Sequence, residues 1–167
     1  DTLPNGKVEK VCIGLHWTAV VANVNGKRTC GLASTLNGSH VHGEVDIPDA
    51  GSLTAKSGLE LAELIFSGKH ILASIGNAAV NALNSQSPEI GRRINAEEMI
   101  AQQGAGKSVA LVGHFPFVPR LRSRVGELHV LELNPQPGDH PSEAADKIIP
   151  AAQVVAISGT TIPNHTL

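Results

Sequence analysis

The sequence predicts an α/β protein in two parts, an α+β region over residues 1–87 and a doubly wound parallel sheet over residues 88–167. Three observations predict it. Lys107 to Pro116, KSVALVGHFP, holds a short apolar run closed by Gly113 and reads as a strand buried on both faces. Two similar runs, ELHVLELN from Glu127 and QVVAISGTT from Gln153, follow at helix-crossover spacing and read as parallel partners. Asn25-Gly26, between two earlier apolar runs, is a strong hairpin signal and makes the first part antiparallel.

Taken in order, Lys7 to Asn23 reads as one long strand, with Gly14 as a bulge or bend. Lys27 to Thr35 returns beside it. That pairing sets Cys30 opposite Val21 and Cys12 opposite Ser39, too far apart to bridge, and two free thiols suit a reducing cytoplasm. Leu36 to Ser52 is a polar, Gly-rich excursion. If extended, it aligns His40 and His42 on one side with Glu44 and Asp46 in phase, donors that a transition metal accepts. An exposed loop preorganises such ligands poorly.

Ser57 to Ser67 predicts a helix capped by Ser57 with Glu60 completing a capping box, its apolar stripe formed by Leu59, Ala62, Leu64, Ile65 and Phe66. Ser74 to Ser85 predicts a second helix, small enough in its residues to pack closely on a neighbour. Asn77, Asn81 and Asn84 share one of its faces, which either meets solvent or aims Asn81 into a cleft. Asn95 caps a third helix with Glu97 and Glu98 in its first turn, and Gly104 stops it. Arg120, Arg122 and Arg124 read as a solvated helix face.

Composition narrows the function. With Trp17, Phe66, Phe115 and Phe117 as the whole aromatic content and a net charge of -2, single-stranded nucleic acid and phosphate-backbone partners are not expected. No apolar run approaches the ~20 residues that span a bilayer. A small-molecule ligand, bound by a monomer or a homo-oligomer, is the expected partner. The chain opens on Asp1 without Met and its third parallel strand lies near its end, so a trimmed start and an incomplete sheet are expected.

Gly104-Ala105-Gly106-Lys107-Ser108 is not a phosphate loop: Ala101 stands where the pattern needs Gly, and the helix precedes the strand. Gly113-His114-Phe115-Pro116 likewise lacks the glycines of a dinucleotide fingerprint. The ends of parallel strands are still where such sheets bind ligands. His114 is the candidate general acid/base there, with no acidic partner identifiable from sequence. Glu132 closes the second strand, where a carboxylate either holds a ribose hydroxyl pair or stands without a ligand. That keeps a nucleoside-containing ligand open. Ser158 to Thr161 and Asn164 either bind an anion through backbone N–H groups or simply cap a turn.

VCIGLHWTAV with GLAST, LELAELIFSG with ASIGNAAVNAL, then VALVGHFP, LHVLELNPQPGD and VVAISGTTIPNHTL together resemble the putative heavy-metal chelation family, in order and over nearly the whole chain. The resemblance implies an enolase N-terminal-like domain over residues 1–87, then a Rossmann-like domain that is truncated in this chain. It implies a site in the cleft between them, and a role in condensing or hydrolysing pterin-, flavin- or siderophore-like chelator precursors. By matching motif the ligand-holding residues would be Asn81, Gly113, Phe115, Pro116, Glu132, Asn134, Gly159, Thr160, Thr161 and Asn164, around His114. A non-catalytic protein that binds metal or a metal chelate is the alternative.

Overall fold

The computed structural model describes residues 3–36, 47–84 and 94–166. The His40 and His42 reading, with Glu44 and Asp46, lies outside the described residues. Contacts divide the chain into two units, Asp1–Ile90 with Gly159–Leu167, and Gly91–Ser158.

The first unit carries an antiparallel sheet of β1 (Lys7–Ile13), β2 (Trp17–Val24) and β3 (Lys27–Ser34), in that order. Asn25 and Gly26 both take positive φ, 52° and 80°, as the tight hairpin between β2 and β3 requires. The single long strand expected over Lys7 to Asn23 is instead two strands. The chain reverses at Gly14-Leu15-His16, where the Gly14 N–H donates to the Trp17 carbonyl at 2.8 Å. Gly14 allows it, since a Cβ there would stand 3.0 Å from that same oxygen. The irregularity falls earlier, between Val8 and Lys10. Cys30 pairs with Val21 as expected, but the new turn sets Cys12 opposite Ala19, not Ser39. Both thiols are free and exposed.

One face of this sheet is buried through Thr18, Val20, Ala22 and Val24 of β2 and Thr29, Gly31 and Ala33 of β3. The first helix, α1 (Gly58–Ala62), is shorter than expected and tightens into a 3-10 turn over Glu63–Phe66. Its capping box is present: Ser57 N–H donates to Glu60 Oε2 at 2.7 Å, and Glu60 N–H to Ser57 Oγ at 3.3 Å. The tightening changes the buried stripe. Leu61 and Ala62 are buried, while Leu59 is exposed and Phe66 is 83% exposed. The second helix, α2 (His70–Leu83), begins ahead of Ser74, whose hydroxyl turns back to donate to the His70 carbonyl at 2.9 Å. Its small residues pack as expected. Ala73, Ser74, Ile75, Gly76, Ala78, Ala79 and Ala82 are buried. A Cβ on Gly31 would overlap the Ala78 carbonyl, and one on Gly76 would overlap the Ile65 backbone.

The second unit carries a sheet ordered β6-β5-β4-β7, parallel throughout. The three expected strands are β4 (Ser108–Val112), β5 (Glu127–Glu132) and β7 (Val154–Ile157). To these the structure adds β6 (His140–Pro141), in a stretch too short and Pro-rich to read as a strand. The connecting helices are α3 (Ala96–Gly104), α4 (Val118–Leu121) and α5 (Ala145–Ala151). Asn95 caps α3 through bonds from the Glu97 and Glu98 N–H groups at 2.9 and 3.4 Å. The Gly104 to Ser108 stretch is a helix stop and a strand start. Val109, Leu111, Leu128 and Val130 bury one face against Ala101, Val118 and Leu121.

The basic run is not simply solvated. Arg120 forks onto both carboxylate oxygens of Glu97 at 3.0 and 2.7 Å, and Arg124 reaches Glu98 at 2.6 Å, tying α4 and the turn after it to α3. The Arg120 bond holds the Glu97 carboxyl below the usual range, and the Arg124 bond does the same for Glu98. Among the described residues no helix is long and apolar enough to cross a membrane.

Two outcomes follow from this packing. Gly31→Ala should destabilise the protein by about 3 kcal/mol, since a close-packed backbone cannot yield to an inserted methyl, while Gly68→Ala, with nothing near its Cβ position, should change little. Urea midpoints decide it. The Glu97 and Glu98 bonds stabilise the folded state above the unfolded carboxylate range and fade as pH falls through their depressed folded values. The thermal midpoint should therefore drop more steeply from about pH 5 to 3 in the wild type than in the E97Q/E98Q variant.

Candidate functional site

The end of β4 builds the site from backbone outward. Gly113 follows the strand with φ of 105°, a conformation closed to most side chains. A Cβ there would lie 3.2 Å from Ser158 Cβ and 3.3 Å from the Phe115 ring. Its N–H donates to the Leu131 carbonyl at 2.9 Å, carrying the β4–β5 ladder one step past the strand. His114 then meets the end of β5. Its N–H donates to Glu132 Oε2 at 2.8 Å, while Glu132 Oε1 accepts from the Leu133 N–H at 2.9 Å. Both oxygens of Glu132 are thus engaged by backbone, which fixes the loop after β4 to the end of β5.

The imidazole of His114 has an acidic partner that sequence reasoning missed. His114 Nδ1 donates to Asp139 Oδ2 at 2.7 Å. The Asp139 side chain has no exposed surface, and the His114 ring is 21% exposed. Asp139 Oδ2 also accepts from the Gln136 N–H at 3.1 Å. Its other oxygen is buried without a hydrogen bond and stands 3.7 Å from Arg122 Nη2. That guanidinium donates to the Gly138 carbonyl at 2.9 Å and to the Leu128 carbonyl at 3.3 Å. Arg122, expected on a solvated face, therefore clamps the turn that carries Asp139. Gly138 makes that turn with φ of 90°.

A carboxylate only accepts hydrogen bonds, so the proton between the two groups sits on Nδ1. Nε2 is then the nitrogen left to take a proton, give one up or ligate a metal. A buried carboxylate that fixes ring and tautomer is the arrangement by which histidine is made an effective base. Beside His114, Phe115 stacks on Phe117 with centroids 5.1 Å apart. Both rings line an apolar cavity of about 310 Å³, with Met99, Ile100 and Ile157. Pro116 and Asn134 are exposed.

The remaining candidates belong to the first unit. Asn81 is exposed on α2, and its amide donates to the Leu32 carbonyl of β3 at 2.8 Å. Gly159 to Thr161 form a 3-10 turn in which Thr161 is buried. Asn164 Oδ1 accepts from the Thr166 hydroxyl at 2.7 Å and from its N–H at 3.2 Å, a local turn cap. Among the described residues no three His, Cys, Asp or Glu side chains converge as a ready metal centre.

Two family models match, both described as putative heavy-metal chelation, DUF4213 over residues 1–84 and DUF364 over residues 95–167. No curated protein matches. A protein of unknown function from the DUF364 family of Desulfitobacterium hafniense DCB-2 is similar, with a TM-score of 0.78 and 26% identity. The match covers 97% of this chain and 65% of that one. Another of the same family, from Pyrococcus horikoshii, shares the fold at a TM-score of 0.73 and 22% identity, with the same coverage of 97% and 65%. The chain thus spans 65% of the length of either structure. With both halves matched in order, the chain belongs to the family described as putative heavy-metal chelation.

Proposed function

We propose that the chain binds a small planar or anionic molecule at the end of β4 and handles its protons through His114, as an enzyme of chelator-type metabolism. The reaction class is condensation or hydrolysis of a pterin-, flavin- or siderophore-like compound. One observation carries this reading: the 2.7 Å bond from His114 Nδ1 to a fully buried Asp139, which leaves Nε2 to accept or deliver a proton. The apolar cavity lined by Phe115 and Phe117 supports a flat aromatic ligand beside it. Glu132, already bound to two backbone N–H groups, acts here by holding the loop. A nucleoside hydroxyl pair would share its oxygens.

The family resemblance adds Asn81, Gly113, Pro116, Asn134, Gly159, Thr160, Thr161 and Asn164 as ligand contacts. It also supports the enolase N-terminal-like and Rossmann-like labels for the two halves. Free thiols at Cys12 and Cys30 support a cytoplasmic setting.

Pterins and flavins fluoresce, so the full chain can be titrated with free pterin and with riboflavin by polarisation. Saturable binding should weaken at least tenfold in His114→Ala and in Asp139→Ala. Turnover of hydrolysable conjugates, read by mass spectrometry, should fall by about 10²- to 10⁴-fold in His114→Ala, the usual worth of a positioned acid/base. Equal affinity and turnover in both variants and the wild type would refute the reading.

A further inference from the structure

A second pair of histidines lies on the sheet itself, apart from the His114–Asp139 bond. His129 is on β5, and His140 opens β6. The parallel register sets Leu131 beside His140. Alternation along β5 puts His129 on the same face as Leu131, one step back. The His140 ring reaches across that step, so that His129 Nδ1 and His140 Nε2 stand 3.3 Å apart. The rings are tilted by 46° with centroids 5.3 Å apart, not stacked. Glu127, a further step back on the same face, brings Oε1 to 3.4 Å from His129 Nε2.

We propose that His129 Nδ1 and His140 Nε2 are two ligands of a divalent transition-metal site, with Glu127 orienting His129 from behind. Tetrahedral coordination with metal–nitrogen bonds of ~2.0–2.1 Å sets two ligand nitrogens roughly 3.3–3.4 Å apart, and this pair is already at that separation. Glu127 Oε1 at 3.4 Å favours the tautomer with the proton on His129 Nε2 and the lone pair on Nδ1, the carboxylate–histidine–metal order common behind ligating histidines. In the metal-free pair one proton lies between the rings. Binding moves the His140 proton from Nε2 to Nδ1, the other neutral tautomer, and both facing nitrogens then donate to the metal. His129 is 23% exposed, so an ion can reach it. Two imidazoles with carboxylate support suit zinc, nickel, cobalt or copper in preference to calcium or magnesium. The described residues supply no third ligand of these types. The site therefore keeps open coordination positions, which a chelating small molecule would complete. The inference stands independently of the acid/base role of His114.

The test is calorimetric titration of the full chain, purified without a histidine tag, with zinc chloride and with nickel chloride. One equivalent should bind, and cobalt should report imidazole nitrogen ligands in its visible spectrum. His129→Asn and His140→Asn should each weaken binding more than tenfold. Glu127→Gln should weaken it about tenfold, the usual effect of losing a supporting carboxylate. Circular dichroism confirms that these half-exposed substitutions leave the fold intact. A His114→Ala variant should bind metal normally, which separates this site from the proposed acid/base. The inference is overturned if no metal binds, if the two Asn variants bind as wild type, or if binding disappears only when His40 and His42 are replaced.

Discussion

A buried carboxylate organises the end of the parallel sheet. The Asp139 side chain has lost all contact with solvent, and a group in that state must be paired where it stands. One oxygen accepts from His114 Nδ1 and from the Gln136 N–H. The other faces Arg122 at 3.7 Å without a hydrogen bond. The residues from Glu132 to His140 are folded around this requirement. Gly138 bends the chain, Arg122 anchors the bend, and Glu132 fixes the facing loop through the His114 N–H. Each bond to a charged group contributes about 1.5–3 kcal/mol, and stranding any one of them leaves the carboxylate more exposed to the desolvation cost. The position of the His114 ring is therefore set by the electrostatics of a neighbour on another connection, not by its own loop.

The first unit answers to a steric constraint instead. Its three-stranded sheet and α2 approach so closely that Gly31 has no room for a side chain, and Gly76 of α2 is as tightly set against the Leu64–Ile65 backbone of the 3-10 turn. The run of Ala and Ser along α2 is what makes that approach possible, and dispersion across a close contact replaces the bulk that aromatics would supply. The scarcity of aromatic residues is in this sense structural as well as functional. It leaves Phe115 and Phe117 as the only stacked aromatic pair among the described residues, at the mouth of the candidate site.

What the sequence disclosed and what it hid divide by distance along the chain. The apolar runs of β4, β5 and β7, the Asn25-Gly26 hairpin, the Ser57 capping box and the Asn95 cap are local signals, and local chemistry decides them. The reversal at Gly14-Leu15-His16 lacks a turn dipeptide, so it read as a bend in one strand. Asp139 sits in Pro-Gly-Asp, which reads as turn chemistry. Its role depends on how β6 aligns beside β5, which no pattern in the chain announces. The same holds for Arg120 and Arg124, whose partners lie on α3, 23 and 26 residues away. Of the candidate site, His114 and Glu132 were legible as strand-end residues. The bond from His114 to Asp139 was not.

His114, in the loop after β4, and His140, on β6, face two different environments. His114 meets a carboxylate through Nδ1, in a bond that holds the ring and leaves a single nitrogen available. His140, the residue after Asp139, meets another imidazole. A carboxylate stabilises a charged imidazolium, which is what an acid/base needs when it takes up a proton. The Asp139-His140 step thus turns one side chain to the His114 imidazole and the next to the His129 imidazole.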